Sequence, residues 1–421
     1  MVVTEEDHAT RVGLEVLKNG GNAVDAAVAV GLALAVTHPP AGNLGGGGFM
    51  LIRTAEGESV FFDFRERAPA AATAGMYLDS EGEPTRESVV GYRAVGVPGT
   101  VRGLELAWRK YGTKPWNTLV RPAAELAGKG FPLSYGLAQS LRSAAVKLEP
   151  FADSRRIFLH DGKFYEPGER LIQPELAATL RRIELRGADE FYLGETARLL
   201  ADDMKKNGGL ITLEDLKNYA PVERQPLRGT YRGYEILGAP PPSSGGAGII
   251  QMLNILEGSG YAKHGAGSAA TIHYVAEAMR LYFADRAAYF GDPDFVKIPL
   301  GRLLSKEYAA ERRGLISEAA SESAKISGGV RPGYESAETT HFAIVDKEKN
   351  VVGVPYTLNS SYGSGVTAAG TGVLLNNEMD DFTSAPGRPN QSGLLQSEGN
   401  RIEPGKRPLS SMSPTIVVRD G

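Results

Sequence analysis

Cysteine is absent from the 421-residue chain. Disulfides, thiolate metal sites and a cysteine nucleophile are thereby excluded together, and any nucleophile must carry oxygen or nitrogen. Neither sign of charge is in excess: 46 Lys and Arg stand against 50 Asp and Glu, a net charge of −4 with the signs interspersed. That removes the electrostatic footprint of a nucleic-acid binder and points to a small-molecule substrate. Long apolar runs are missing too. The longest, Ala23 to Val36, is broken by Asp25 and falls short of the ~20 residues a bilayer requires, so it reads as a buried helix. The start lacks the basic and apolar pattern of a signal peptide, because Glu5, Glu6 and Asp7 occupy its place. The six histidines show no HExxH-type spacing, so neither a metal nor another cofactor is expected.

What is present describes a folded protein. Hydrophobic residues at 42% and charged residues at 23% are ordinary for a globular chain, and the length admits two or three domains. Val12, Val16 and Leu17 sit at helical spacing; Gly20-Gly21-Asn22 stops that helix, and Asn22 is placed to cap the next. Asn43 to Phe49 is a glycine-rich approach to a strand over 49–53, and a second strand runs over 61–64. From about Thr100 to Phe290 the pattern is mostly amphipathic helix, interrupted by a loop at Pro240 to Gly246.

Between Ala319 and Glu338 the composition shifts to Ser, Gly, Ala, Pro and Glu, a solvated linker with little to bury. Strands follow over 340–346 and 351–358, and Pro355 predicts an edge or a bulge in the second. A further strand covers 414–419, and Asp420-Gly421 is a hairpin turn with no return strand. We therefore expect the chain to be truncated at its end and also at its beginning. A Thr-Thr pair at a strand start ordinarily reflects β-propensity alone.

The surrounding segments change that reading. Asn43-Leu44-Gly45-Gly46-Gly47-Gly48-Phe49-Met50, Asp63-Phe64-Arg65-Glu66, Pro240 to Gly246, Thr339-Thr340-His341-Phe342, Tyr356-Thr357-Leu358-Asn359, Asn377 to Phe382 and Pro408 to Thr415 resemble those of γ-glutamyltransferases (γ-glutamyltranspeptidases), members of the N-terminal-nucleophile hydrolase superfamily. The match keeps the family's order and spans nearly the whole chain. It implies an α+β fold, a four-layer αββα sandwich, made as one precursor and split into a large subunit, residues 1–338, and an incomplete small subunit, residues 339–421. The cut falls between Glu338 and Thr339.

The resemblance implies that Thr339 is the nucleophile, freed at its amino group by self-cleavage, and that Thr357 holds it in position. A free α-amino group, with a reference pKa of about 7.7–8.0, is neutral enough near pH 7 to act as the base. Arg65 matches the arginine that clamps the donor's α-carboxylate, with Ser410 and Ser411 bonding the same group; Asn359, Glu378 and Asp381 match the α-amino side. The expected partners are glutathione or other γ-glutamyl compounds as donors, amino acids or dipeptides as acceptors, and the two subunits of one precursor. Neither nucleic acid nor a membrane segment is expected, and family members of bacterial origin imply a periplasmic or extracellular location. Gly45 to Gly48 lacks a phosphate-binding pattern and reads as close packing. His341, a lone strand histidine, reads as structural.

Two departures from the family pattern stand out. Its oxyanion hole uses backbone amides of a paired-glycine segment beyond the serine motif, and no such segment precedes Gly421; without those donors the chain itself is expected to be inactive. Over Pro386 to Arg401, the donor-pocket lid, Ser392 stands where an aromatic gate aligns, which implies more hydrolysis relative to transfer. The rival readings are a related acylase, of the cephalosporin, glutaryl or poly-γ-glutamate type, and a non-catalytic homologue.

Overall fold

Local capping starts the fold. In the computed structural model, which describes residues 1–322, 339–384 and 398–419, Asn22 Oδ1 accepts from the Asp25 amide and Asp25 Oδ2 accepts from the Asn22 amide, closing a capping box at the head of the helix Ala23–Thr37. Asp25 is fully buried and also accepts from the Thr113 amide and hydroxyl and the Lys114 amide. The one charge in the apolar run is therefore the bolt that fixes the helix start. All residues of this helix are buried, as its nearly uninterrupted Ala/Val/Leu composition requires.

That helix lies on a six-stranded antiparallel sheet in the order Val2–Val3, Thr340–Val345, Val351–Thr357, Gly47–Arg53, Ser59–Asp63, Val222–Arg224. Alternation along the strands sorts side chains onto two faces. Met50, Ile52, Phe62, Phe342 and Ile344 join the helical side, where Ala23–Thr37, Thr100–Tyr111 and Trp116–Lys129 form one large apolar core. Phe49, Leu51 and Phe61 point the other way and pack on Leu237 and Ile416 of a three-stranded sheet, Thr415–Val418, Tyr234–Gly238, Leu227–Tyr231. The far face of this second sheet carries the helix Gly245–Glu257, which in turn packs on Ala269–Tyr289. Helix, sheet, sheet, helix is the expected four-layer αββα sandwich.

The middle of the chain is mostly helix, as expected, and its interruptions include a hairpin, Leu227–Tyr231 and Tyr234–Gly238, whose turn residues, Arg232 and Gly233, have positive φ. One expectation is corrected. Pro355 lies in an inner strand, bonded on both sides, and not at an edge. The ladder to Gly47–Arg53 is open at Val354 and Pro355 while the register on either side is preserved, so the missing N–H of proline falls where no partner is needed. The expected linker and lid fall mostly on residues 323–338 and 385–397, outside the described residues, as do Ser392 and the turn at Asp420-Gly421.

Candidate active site

Strand register brings the two threonines together. Tyr356 pairs with Thr340, so Thr357, one residue further along, faces Thr339 across the ladder. The Thr339 hydroxyl donates to Thr357 Oγ1 at 3.3 Å, and Thr357 Oγ1 also accepts from the Asn359 amide at 2.9 Å. Thr357 is buried and Thr339 is half-exposed, leaving one hydroxyl anchored and the other open. Glu338 lies outside the described residues. The glycine run closes behind this pair: a Cβ on Gly46 would stand 2.1 Å from the Thr357 carbonyl oxygen, and one on Gly48 2.4 Å from that of Pro355. Only glycine lets the strand Gly47–Arg53 approach so closely.

Both threonines line a cleft of about 300 Å³ together with Arg65, Asn359, Glu378, Asp381, Ser410 and Ser411. Every site residue that the sequence nominated, Glu338 aside, is thus brought to one cavity. Arg65 follows the strand Ser59–Asp63; its amide donates to Asp63 Oδ1, and its carbonyl accepts from the Tyr219 hydroxyl. The guanidinium is buried, with Nη1 on Glu378 and Nη2 on Asp381. Burial opposes its charge, but the carboxylates of Glu378 and Asp381 outweigh that and hold its pKa above the ordinary value. Burial also pushes the Glu378 carboxyl well up, against the pull of Arg65. Glu66, fully buried with neither carboxylate oxygen hydrogen-bonded, is raised to about 8 by the same desolvation, opposed by Arg65 at 3.7 Å.

Asn359 takes a positive φ of 76° and donates its side-chain amide to the Asn377 carbonyl. Ser410 is held by the loop Pro240 to Gly246, its amide donating to the Pro242 carbonyl and its own carbonyl accepting from the Ser244 amide. His341 lines the cleft without a hydrogen bond among the described residues. Sequence reading missed Arg286, which lines the same cleft and donates to Ser244 and Ser411. It also missed two buried asparagines behind the site. Asn43 Nδ2 donates to the Thr357 carbonyl at 2.8 Å, and Asn376 joins the backbone of Gly45, Gly96 and Glu378. Asn43 opens one of the motifs and Asn376 immediately precedes another, which was the available signal; Arg286 sits inside a helix and offered none. A larger apolar groove, about 720 Å³ between the helices Asp7–Lys18 and Trp116–Lys129, holds no comparable set of reactive groups.

Residues 9–421 match the family model described as Gamma-glutamyltranspeptidase. The chain belongs to the gamma-glutamyltranspeptidase family. As such it is 54% identical to a glutathione hydrolase proenzyme of Pseudomonas sp. (strain A14) over all of its own length and 74% of that relative. Among solved gamma-glutamyltranspeptidases, that of Helicobacter pylori superposes with a TM-score of 0.76 at 44% identity, covering 79% of this chain and 97% of that one. The cephalosporin acylase of Bacillus halodurans shares the architecture, with a TM-score of 0.86 at 29% identity over all of this chain and 75% of its own. Membership in a gamma-glutamyltranspeptidase family makes the chain an enzyme-family member with the sandwich described above. Among the described residues, no helix is long and apolar enough to cross a membrane.

Proposed function

We propose that this chain is a glutathione hydrolase and γ-glutamyltransferase that takes γ-glutamyl groups from glutathione-like donors onto Thr339 and passes them to water or to an amino acid or dipeptide. The observation that carries the reading is the Thr339–Thr357 hydroxyl contact at 3.3 Å, at the wall of a cleft that also presents groups of both charges. A precursor step comes first. The Thr339 hydroxyl adds to the carbonyl carbon of residue 338, the C–N bond breaks, and the nitrogen takes the hydroxyl proton. Water then opens the ester, leaving a carboxylate on Glu338 and a free amine on Thr339. Residues 1–338 become the large subunit and 339–421 belong to the small one.

In the mature site the Thr339 amine takes the hydroxyl proton as the oxygen attacks the γ-carbonyl carbon of the donor. The leaving amine receives that proton as its bond to carbon breaks, giving an ester that water or an acceptor amine resolves. Thr357 holds the nucleophile. Arg65, Ser410 and Ser411 hold the donor's α-carboxylate, while Asn359, Glu378 and Asp381 receive its ammonium. The two carboxylates favour a free amino-acid head group over a plain acyl chain, which separates this reading from the acylases. By family, the working location is the periplasm or the exterior of the cell.

The test joins a gel to a rate. Purified protein that carries the family's paired-glycine segment should run as two fragments, the smaller beginning at Thr339, and Thr339→Ala should stay uncut and inactive. A γ-glutamyl anilide should be turned over in preference to a glutaryl anilide, and faster turnover of the glutaryl compound would transfer the chain to the acylases.

A further inference from the structure

We infer that Arg286, acting with Ser244 and Ser411, makes the cleft selective for the donor's α-carboxylate, an inference that rests on the γ-glutamyl reading above. Arg286 lies on the helix Ala269–Tyr289, is 2% exposed, and lines the cleft. Its Nε donates to Ser244 Oγ at 3.0 Å and its Nη2 to Ser411 Oγ at 3.1 Å. Among the described residues it makes no ion pair. The neighbouring Asp285 is engaged elsewhere, accepting from Gln251, Tyr308 and Arg312. A buried guanidinium held only by neutral hydroxyls bears a desolvation cost without a compensating charge. A ligand carboxylate supplies that compensation.

Arg65, the other guanidinium of the cleft, is ion-paired with Glu378 and Asp381. Arg286 therefore adds a positive charge that no carboxylate among the described residues matches, on the side of the cleft where Ser411 lies. The serine protons agree. Ser244 donates its own to the Ser410 carbonyl at 2.9 Å. Ser411, which accepts from Arg286, has its proton left either for a long 3.4 Å contact to Ser244 Oγ or for an anion in the cleft. A guanidinium donating to a hydroxyl oxygen makes that hydroxyl a better donor in turn.

Three anilides with one leaving group separate the ends of the cleft: γ-glutamyl, with both charges; glutaryl, with the carboxylate alone; and 4-aminobutyryl, with the ammonium alone. In Arg286→Gln, KM for the first two should rise roughly 10- to 100-fold, the scale of a lost hydrogen bond to a charged group, while kcat/KM for 4-aminobutyryl stays within twofold of the parent. Equal losses on all three would make Arg286 a packing residue and overturn the inference, as would unchanged KM values. If Arg286→Gln does not fold, Ser244→Ala, which removes the Nε contact together with the hydroxyl's bond to the Ser410 carbonyl, should show the same selectivity at smaller amplitude, and a uniform effect there is equally fatal. Failure of the parent protein to turn over any γ-glutamyl anilide would instead reject the proposed function.

Discussion

Adding one methyl group at Gly46 should disable the site without touching a reactive atom. A Cβ there would stand 2.1 Å from the Thr357 carbonyl oxygen and 2.8 Å from Asn43 Oδ1. Reaching even 3.0 Å, a separation real Cβ atoms seldom go below, requires about 0.9 Å of movement. The glycine backbone cannot yield easily, because its amide donates to Asn43 Oδ1 and its carbonyl accepts from the Gly99 and Thr100 amides. Thr357 must move instead, and its hydroxyl is the anchor of Thr339. A displacement of about 1 Å in catalytic geometry costs on the order of 10²-fold in rate, and overpacking of this kind destabilises by about 1–3 kcal/mol. Gly46→Ala should therefore lower kcat on a γ-glutamyl anilide by roughly two orders of magnitude and lower the melting temperature. Gly75→Ala, where nothing lies within 4 Å of the new carbon, is the control. Parental kcat and melting temperature in Gly46→Ala would refute the claim that the glycine run sets the position of Thr357.

Other outcomes follow from the same site. Thr357→Val, close in shape but unable to accept from Thr339, should cut kcat by roughly 10- to 100-fold, with Thr357→Ser retaining most of the rate. Asn376→Leu orphans three buried backbone groups, the Gly96 amide and carbonyl and the Glu378 amide; at about 1 kcal/mol or more each, urea unfolding should show a loss of at least about 3 kcal/mol. Glu66, with a folded pKa of about 8 against an ordinary 4.5, binds its proton more tightly folded than unfolded. Its contribution is full below about pH 4.5 and is lost as pH rises through 8. Melting temperatures at pH 6 and pH 8.5 should differ more in the parent than in Glu66→Gln, and equal differences would show that the carboxyl does not titrate as stated.

Much of the sandwich was legible because local rules and the final fold agree. The cap at Asn22, the apolar run behind it and the strands flanking Thr339 all announce themselves within a few residues. The hairpin Leu227–Tyr231 and Tyr234–Gly238 did not. Its turn is Arg232-Gly233 instead of Asn-Gly, and its strands, half-exposed over much of their length, lack a strong apolar alternation. The site was legible through motifs, whose meaning is tertiary: nothing local to Arg65 or Glu378 says that they meet. Arg286 stayed hidden for the same reason without a motif to expose it. It shares one helix with the buried Glu277 and Asp285, and buried charges blur the apolar stripe that would have shown which face turns inward.

The strand order of the larger sheet bears on what a cut ahead of Thr339 would achieve. Thr340–Val345 and Val351–Thr357 are both threaded between Val2–Val3 on one side and Gly47–Arg53 on the other, and Thr415–Val418 extends the second sheet from Tyr234–Gly238. Severing the backbone would release a chain end but no surface. The two pieces would stay interleaved through shared ladders and a common core, so that parting them would amount to denaturing the enzyme, and neither could be exchanged between molecules in the native state.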